Sequence, residues 1–394
     1  MPALPKVNGC ARSLPSRAFR STVWARDVRC VFGSVVRTDS SIHEGAPVAP
    51  NESGSVMRDA DLVLEGGGIK GAGLVGAVTA LMAGDDGYRF RRLAGTSAGA
   101  IVAALLASGM DPQRLRHTMD TLDFSRFRDL NPLYRFTPRL GAGLGLIFQR
   151  GMYRGDYLYR WLLQTLAEQG VHTWADLKEA DADSSLPEAQ RYRLVVVVSD
   201  VSRGQMLRLP WDYQSQLGLN PDTQLVADAV RASASIPFFF RPVPIMAGPS
   251  IVETRILCAD GGLLSNYPID VFDRTDGDAA RWPTLGVKLS AKTGTDGPWK
   301  SNRNALELAK SVFQTMQSAH DRLHISDPSA IARTTWVDTT GFAATDFSLT
   351  QHAKDTLFSN GHHAAEQFLA TWRWEDWTQR FTARSAPGAS ADTD

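Results

Sequence analysis

The sequence contains few cysteines and no long apolar run, and each shortage excludes a class of protein. Only three cysteines occur in 394 residues, at Cys10, Cys30 and Cys258, and none forms a C-x-x-C pair. A disulfide framework is therefore excluded, and a reducing compartment such as the cytoplasm is the simplest expectation. The longest apolar run, residues 98–107, is about half of the roughly 20 residues that a membrane-spanning helix needs. The sequence consequently predicts no transmembrane helix.

The chain also lacks an excess of charge of either sign. Its 42 Lys and Arg residues balance 42 Asp and Glu residues, so the formal net charge is zero. No overall field attracts nucleic acid, and we expect no nucleic-acid partner. Hydrophobic residues make up 43% and charged residues 21% of the chain. Those fractions are ordinary for a globular protein with a substantial core.

The two ends of the chain lack the regular patterns of a folded core. Residues 1–57 carry arginines, prolines and serines without a clear period, and they hold no apolar core of the roughly 7–15 residues that a secretory signal requires. We predict a disordered extension there, or translated sequence upstream of a true start at Met57. Residues 376–394 are rich in Ser, Ala and Asp and are predicted to be a disordered tail. A single domain is expected over residues 58–375.

Between these ends, strand and helix patterns alternate. Residues 61–64, 88–94, 251–257 and 285–289 are predicted strands, and residues 193–198 form a β-branched run typical of the middle of a parallel sheet. Such alternation predicts one α/β domain with a mostly parallel central sheet flanked by helices. The predicted helices lie near residues 71–82, 98–107, 113–122, 156–169, 223–234, 305–323 and 350–372.

Ser97 lies between a predicted strand and an apolar helix, in the segment Gly95-Thr96-Ser97-Ala98-Gly99. This G-x-S-x-G spacing is typical of a nucleophile elbow, in which small residues permit a sharp turn. The turn presents the serine hydroxyl at a helix N-terminus, where unpaired N–H groups favour developing negative charge. An ordinary Gly/Ser turn is the competing interpretation.

A glycine-rich loop, Gly66-Gly67-Gly68 followed by Lys70, comes directly after the first predicted strand. Its backbone N–H groups could converge on a substrate oxyanion, with Lys70 adding a positive charge. The competing interpretation is a nucleotide cradle, because G-x-G-x-x-G occurs twice here. A dinucleotide fold also requires an acidic residue about 20 positions on, at the end of the next strand. Asp85 and Asp86 fall instead in a turn.

A serine nucleophile needs a base, and the sequence offers two routes. The downstream histidines are predicted to lie on helices rather than in strand-end loops, where a triad histidine would be presented. Asp260 ends a predicted strand and is followed by Gly261 and Gly262, which permit a tight turn. By itself, Asp-Gly-Gly is equally an ordinary turn. The histidines in question are His320, His324, His352, His362 and His363.

Taken together, the three motifs occur in the order found in patatin-like phospholipases, and the chain resembles that family. The glycine-rich loop follows the first strand, Ser97 follows the second, and Asp260-Gly-Gly comes later in the chain. The resemblance covers about residues 61–373, and Lys70 stands where many members carry Arg. Further similar segments are Gly151-Met-Tyr-Arg-Gly155, Arg231-Ala-Ser-Ala-Ser-Ile-Pro237, Asn266-Tyr-Pro268 and Asp346-Phe347 with Gly361.

The resemblance implies a three-layer fold and a lipid acyl hydrolase with a Ser97–Asp260 dyad and no catalytic histidine. Asp260 would accept the serine proton, and Gly66, Gly67, Gly68 and Lys70 would hold the oxyanion. No metal or cofactor is implied. At its ordinary pKa of about 3.9 an aspartate is a weak base, so a modest rate is expected. An acyltransferase or thioesterase using the same acyl-enzyme is the alternative, and the oligomeric state is open.

Residues 123–155 mix aromatic residues, arginines and glycines without a period and are predicted to form a mobile cap. The surrounding residues 111–161 hold nine Arg, five Asp, no Lys and no Glu. Arginine interleaved with aromatic side chains suits docking on an anionic lipid surface. We therefore expect a lipid substrate and a peripheral membrane surface as partners. A cap whose aromatics pack and whose arginines are solvated is the alternative.

Overall fold

The computed structural model describes a single folded unit within Ser55–Asp394. The predicted N-terminal extension, apart from Met57, lies outside the described residues, as does the middle of the predicted cap. The described residues are 57–130, 150–181, 184, 186–249, 251, 255–276, 278–289, 307–308, 311–316, 327–344 and 347–381.

The strands of the described residues form an eight-stranded sheet and a separate two-stranded sheet. The large sheet has the order β10-β9-β1-β2-β4-β8-β7, with β5 also paired to β4, and the small sheet joins β3 to β6. The bounds are β1 Arg58–Leu64, β2 Tyr88–Thr96, β3 Gly151–Tyr153, β4 Leu194–Asp200, β5 Gln205–Leu209, β6 Phe238–Phe240, β7 Val243–Met246, β8 Arg255–Asp260, β9 Thr284–Lys288 and β10 Thr334–Trp336.

The helices connect these strands. Short 3₁₀ turns follow β1 at Gly68–Lys70 and β8 at Gly261–Leu263. The α-helices are α1 Gly71–Leu81, α2 Ala98–Ala107, α3 Pro112–Thr121, α4 Asp156–Ala167, α5 Asp212–Leu217, α6 Val226–Ser233, α7 Pro328–Ala332, α8 Gln351–Thr371 and α9 Trp374–Phe381.

The large sheet is mostly parallel and is covered on both faces. The strands β10, β9, β1, β2 and β4 run parallel, whereas β5, β8 and β7 are antiparallel to their neighbours. Leu62 and Val196 pack into the main core, while Val63 and Val195 pack on the opposite side in a second core cluster. Because successive strand residues point to opposite faces, each face carries its own core. The predicted three-layer α/β fold is therefore confirmed.

Three local expectations need correction. The strand predicted at 251–257 is β8, which begins at Arg255, ends at Asp260 and runs antiparallel to β4. The short strands β6 and β7, which precede it, were not expected. Helix α9 occupies the start of the predicted C-terminal tail, because Trp374, Trp377 and Phe381 recur at helical spacing. Of the helix predicted at 305–323, residues 307–308 and 311–316 are helical, and the rest lies outside the described residues.

The predicted cap is partly core. Phe124 and Phe127 are buried, and the Phe127 ring lies 6.0 Å from Phe347 and 6.5 Å from Phe240. Asp129 accepts hydrogen bonds from the amides of Gly155 at 2.7 Å and of Tyr157 at 3.0 Å. Both described ends of the segment therefore pack against the rest of the domain. Of the nine arginines in residues 111–161, Arg135 and Arg139 lie outside the described residues.

Candidate active site

Ser97 lies between the end of β2 and the start of α2, as the elbow pattern predicts. It is a non-glycine residue with a positive φ, 52°, and its exposed fraction is only 4%. The strained backbone turns the chain sharply between strand and helix. A Cβ at Gly99 would lie 2.3 Å from the carbonyl oxygen of Leu64, so the turn packs directly against the end of β1. Larger residues at this position would separate the elbow from the glycine-rich loop.

The amide of Ser97 is held by a serine that the sequence did not single out. Its N–H donates to Ser233 Oγ at 2.9 Å, and that hydroxyl donates to the carbonyl of Val197 at 2.6 Å. The neighbouring Thr96 hydroxyl donates to the carbonyl of Ser265 at 3.0 Å. Ser233 lies within the segment 231–237 that carried part of the family resemblance. Its contact with Ser97 joins residues that are far apart in the sequence, so no local sequence pattern predicts it.

Asp260 ends β8 and lies at the level of Ser97 in the sheet. Thr96 pairs with Val197 across β2 and β4, and Val198 pairs with Asp260 across β4 and β8. β8 runs antiparallel to β4 and enters the sheet at the end where β2 finishes, so the last residue of β8 lies inside the protein. Asp260 is accordingly 0% exposed. Its Oδ1 accepts a hydrogen bond from the amide of Gly262 at 2.8 Å.

Burial dominates the electrostatics of Asp260. It raises the pKa of the carboxyl to about 7, against smaller opposing effects of the Gly262 amide and the Ser97 hydroxyl. The Ser97 hydroxyl is therefore close enough to influence the carboxyl, although Oδ2 of Asp260 has no hydrogen-bond partner among the described residues. The buried carboxylate is a much stronger base than the sequence alone suggested.

The glycine-rich loop reaches the elbow from β1. A Cβ at Gly66 would lie 3.2 Å from the Cβ of Ser97, and Gly68 has a positive φ of 57°. The Gly66 amide donates to the carbonyl of Asn266 at 3.1 Å, so it is already occupied. Among the described residues, the amides of Gly67 and Gly68 have no acceptor. These two N–H groups can bind an anionic oxygen.

A buried network holds this loop in place. The Glu65 carboxylate accepts hydrogen bonds from the Lys288 ammonium and from the Leu289 amide. The Asn266 side-chain amide donates to Glu65 Oε1 at 3.3 Å and to the carbonyl of Gly66 at 3.1 Å. Glu65 and Lys288 are both buried, at 5% and 1% exposure. The sequence did not predict this pair, because its two residues come from strands far apart along the chain.

Lys70 lies at the end of the loop, where its ammonium group forms a hydrogen bond. Its ammonium donates to the Thr339 hydroxyl at 3.1 Å, and Thr339 in turn donates to the carbonyl of Leu289 at 2.9 Å. Lys70 therefore links the glycine-rich loop to the segment after β10.

Arg231 joins two of the segments that carried the family resemblance. Its guanidinium donates to the carbonyls of Gly155 at 3.0 Å and Arg154 at 2.9 Å, and to Ser235 Oγ at 2.5 Å. Burial lowers the pKa of Arg231 to about 10, so it stays charged at neutral pH. The carbonyl of Ser235 then accepts the amide of Asp260 at 2.9 Å. Arg231 thus stabilises the segment whose Ser235 carbonyl accepts the hydrogen bond from the Asp260 amide.

Among the described residues, no histidine forms a hydrogen bond or ion pair with Ser97 or Asp260. His352, His362 and His363 are all in α8, where His362 and His363 lie beside Glu366. His320 and His324 lie outside the described residues. The described residues also contain no cluster of three or more potential metal ligands.

A cavity of about 700 Å³ lies towards the end of the large sheet where the parallel strands begin, opposite the end that carries Ser97. It is lined by residues near the strand starts, including Asp61, Arg92, Thr284 and Arg333, and by neither Ser97 nor Asp260. This cavity is therefore separate from Ser97 and Asp260.

The comparison with known families agrees with the geometry of Ser97, Asp260 and the glycine-rich loop. The family model described as patatin-like phospholipase matches residues 62–273, which include all three features and more than half of the chain. The chain belongs to the patatin-like phospholipase family. Membership of the patatin-like phospholipases supports lipid hydrolysis as the activity.

Individual proteins similar to this patatin-like phospholipase come from several sources. The uncharacterized protein YqhO of Bacillus subtilis (strain 168) is 35% identical over 315 residues, 80% of this chain and 99% of YqhO. The uncharacterized protein R571 of Acanthamoeba polyphaga mimivirus is 26% identical over 217 residues, 54% of this chain and 61% of R571. The structure of VipD from Legionella pneumophila is 19% identical, with a TM-score of 0.44, over 80% of this chain and 68% of VipD.

Proposed function

We propose that the protein hydrolyses acyl ester bonds of phospholipids through a Ser97–Asp260 dyad and an acyl-enzyme intermediate. The observation that carries this proposal is the fully buried Asp260 carboxyl, whose pKa of about 7 suits a base at neutral pH. It faces the hydroxyl of an elbow serine, beside two backbone amides that have no acceptor among the described residues.

In the acylation step, Asp260 accepts the proton of the Ser97 hydroxyl as Oγ attacks the ester carbonyl carbon. The carbonyl oxygen becomes an oxyanion, and the amides of Gly67 and Gly68 stabilise it. Ser97 precedes the first turn of α2, whose unpaired N–H groups add to the positive potential. When the tetrahedral intermediate collapses, the ester bond breaks and protonated Asp260 gives its proton to the departing alcohol.

In the deacylation step, Asp260 is again a carboxylate. It takes a proton from water as the water oxygen attacks the acyl carbon of the Ser97 ester. Collapse of this second intermediate releases the carboxylic acid and returns the proton to Ser97 Oγ. One side chain thus performs both proton transfers, so no histidine is needed.

The lipid substrate and its surface are part of the same proposal. Among the described residues no helix is long and apolar enough to cross a bilayer. The mixture of arginine and aromatic residues over residues 111–161 supports a peripheral protein that meets its substrate at a lipid surface.

The test is the pair of variants Ser97→Ala and Asp260→Asn, assayed on a panel of phospholipids, lysolipids and neutral glycerides with products identified by mass. Each variant should lose ester hydrolysis by several orders of magnitude while remaining folded. An active-site fluorophosphonate should label Ser97 in the parent protein. Retained turnover in either variant would remove the dyad.

Two matched controls separate catalysis from structure. Ser108→Ala removes a hydroxyl at the other end of α2, where it donates to the carbonyl of Leu105 at 2.7 Å. Single replacements of His352, His362 and His363 test the alternative base. All four variants should turn over substrate within a few-fold of the parent. A loss of several orders of magnitude at one histidine, with normal thermal unfolding, would favour a histidine triad instead.

A further inference from the structure

An unusual turn follows α6 and overlaps the start of β6. The amide of Phe239 donates to the carbonyl of Ile236 at 3.1 Å, which places Pro237 and Phe238 at the two central positions. Phe238 has a φ of 67°. Pro at the first central position and a positive φ at the second are the pattern of a type II turn, whose second position favours Gly or Asn. Phenylalanine is therefore a strained residue at this position.

The strain is not offset by packing of the Phe238 ring. The side chain is 43% exposed, whereas Phe240 is 2% exposed and the Phe239 ring lies 5.5 Å from Phe347. Among the described residues, Phe238 makes no ring contact. An aromatic side chain that is 43% exposed and held in an unfavourable backbone conformation adds little to the stability of the folded chain. A residue of this kind points to a role outside the chain.

A second exposed residue with a positive φ lies beside it. Phe238 pairs with Gly151 in the two-stranded sheet, and the preceding residue, Arg150, has a φ of 61° and is exposed. Arg150 has no acidic partner among the described residues. Apart from Ser97, these are the non-glycine residues with positive φ in the part of the chain that the structure describes.

The turn is also joined to the dyad. The carbonyl of Ser235, just before the turn, accepts the amide of Asp260 at 2.9 Å. Phe238 therefore lies a few residues from the backbone that carries the base. A surface contact made here would hold a lipid layer against the dyad side of the sheet.

We propose that Phe238 and Arg150 form the contact with the lipid surface, an inference that rests on the proposed function. The Phe238 ring inserts among the acyl chains just below the head groups, where aromatic side chains are favoured. The Arg150 guanidinium binds a lipid phosphate beside it. The partner is therefore a phospholipid layer, with a preference for anionic head groups.

The test measures binding rather than hydrolysis, so that it does not depend on catalysis. The full chain carrying Ser97→Ala is sedimented with vesicles of phosphatidylcholine and phosphatidylglycerol, and with vesicles of phosphatidylcholine alone. Adding Phe238→Gly should weaken binding to both vesicles by about tenfold, the effect of no longer transferring one aromatic side chain out of water. Phe238→Trp should bind at least as well as the parent. Arg150→Gln should weaken binding mainly to the anionic vesicles and at low salt.

Phe238→Gly is the decisive variant because it relieves the backbone strain of the turn. Glycine accepts a positive φ, so thermal unfolding should occur at the parental temperature or above. Met57→Ala is the matched control: Met57 is 42% exposed and precedes β1, at the sheet edge opposite Ser97. It should bind vesicles like the parent.

Two results would overturn the inference. Unchanged vesicle binding by Phe238→Gly would place the lipid contact elsewhere. In protein with Ser97 intact, an equal loss of turnover on a short soluble ester and on vesicles would show that the ring contacts the substrate instead. If Ser97→Ala were found to retain turnover, the proposed dyad would fail, but the binding data would still decide the role of Phe238.

Discussion

A carboxylate becomes a stronger base where its charge is poorly solvated, and Asp260 meets this condition at the end of a strand that runs into the protein. From the sequence alone, an aspartate at its ordinary pKa predicts a weak base and a modest rate. Burial raises that pKa to about 7, which brings it close to the working pH. The motif could be predicted from Asp-Gly-Gly, but the solvation of its carboxyl depends on the surrounding strands.

The first prediction at this scale concerns the pH dependence of hydrolysis. In the proposed mechanism the carboxylate form of Asp260 is the base, so activity should require loss of a proton with a pKa of about 7. We expect kcat/KM on a short soluble ester to rise to a plateau above pH 8 and to fall about tenfold for each unit below pH 6. An ascending limb near pH 4, with the protein folded throughout, would contradict the raised pKa.

The same carboxyl should destabilise the fold at neutral pH. Its folded pKa lies above the ordinary value of 3.8, so the folded state favours the protonated form, and stability is lost as the pH rises from about 4 through 7. Asp260→Asn keeps an acceptor for the Gly262 amide and removes the charge. Its Tm should exceed that of the parent at pH 8, and the difference should shrink at pH 5. Calorimetry at the two pH values provides the measurement; an equal difference at both would contradict the prediction.

At the scale of elements, the site consists of loops that β1, β2 and β8 deliver to one place. The glycine-rich loop and the elbow could be predicted from local spacing, because tight turns need small residues at fixed positions. The direction of β8 could not, since it follows from the antiparallel pairing of β8 with β4 and β7. The bond from Ser97 to Ser233 was equally out of reach, because it joins residues 136 positions apart.

The buried pair beneath the glycine-rich loop gives a prediction at this scale. Lys288→Met leaves the Glu65 carboxylate buried without the Lys288 ammonium, which should lower the free energy of unfolding by about 3–5 kcal/mol. Glu65→Gln with Lys288→Met removes both charges and keeps an acceptor for the Leu289 amide, so it should recover most of that loss. Urea unfolding of the parent, single and double variants measures the coupling. A double variant as unstable as the single one would show that the pair is not coupled.

At the scale of the whole molecule, the described core begins at Arg58, the first residue of β1. A chain starting at Met57 should therefore fold and hydrolyse esters like the full chain. Circular dichroism, thermal unfolding and turnover of a soluble ester check this expectation. Insolubility or inactivity would mean that the preceding residues contribute to the domain.

The contacts around the dyad close very long loops of the chain. Thr96 reaches Ser265 across 169 positions, and Glu65 reaches Lys288 across 223. Contacts between distant positions form late, because their loop-closure entropy must be overcome first. Secondary structure can thus form during refolding before Ser97 reaches the position in which it reacts. Reactivity of Ser97 towards a fluorophosphonate would then report that the sheet is complete. The rate at which this reactivity appears can therefore be used to time the last step of folding.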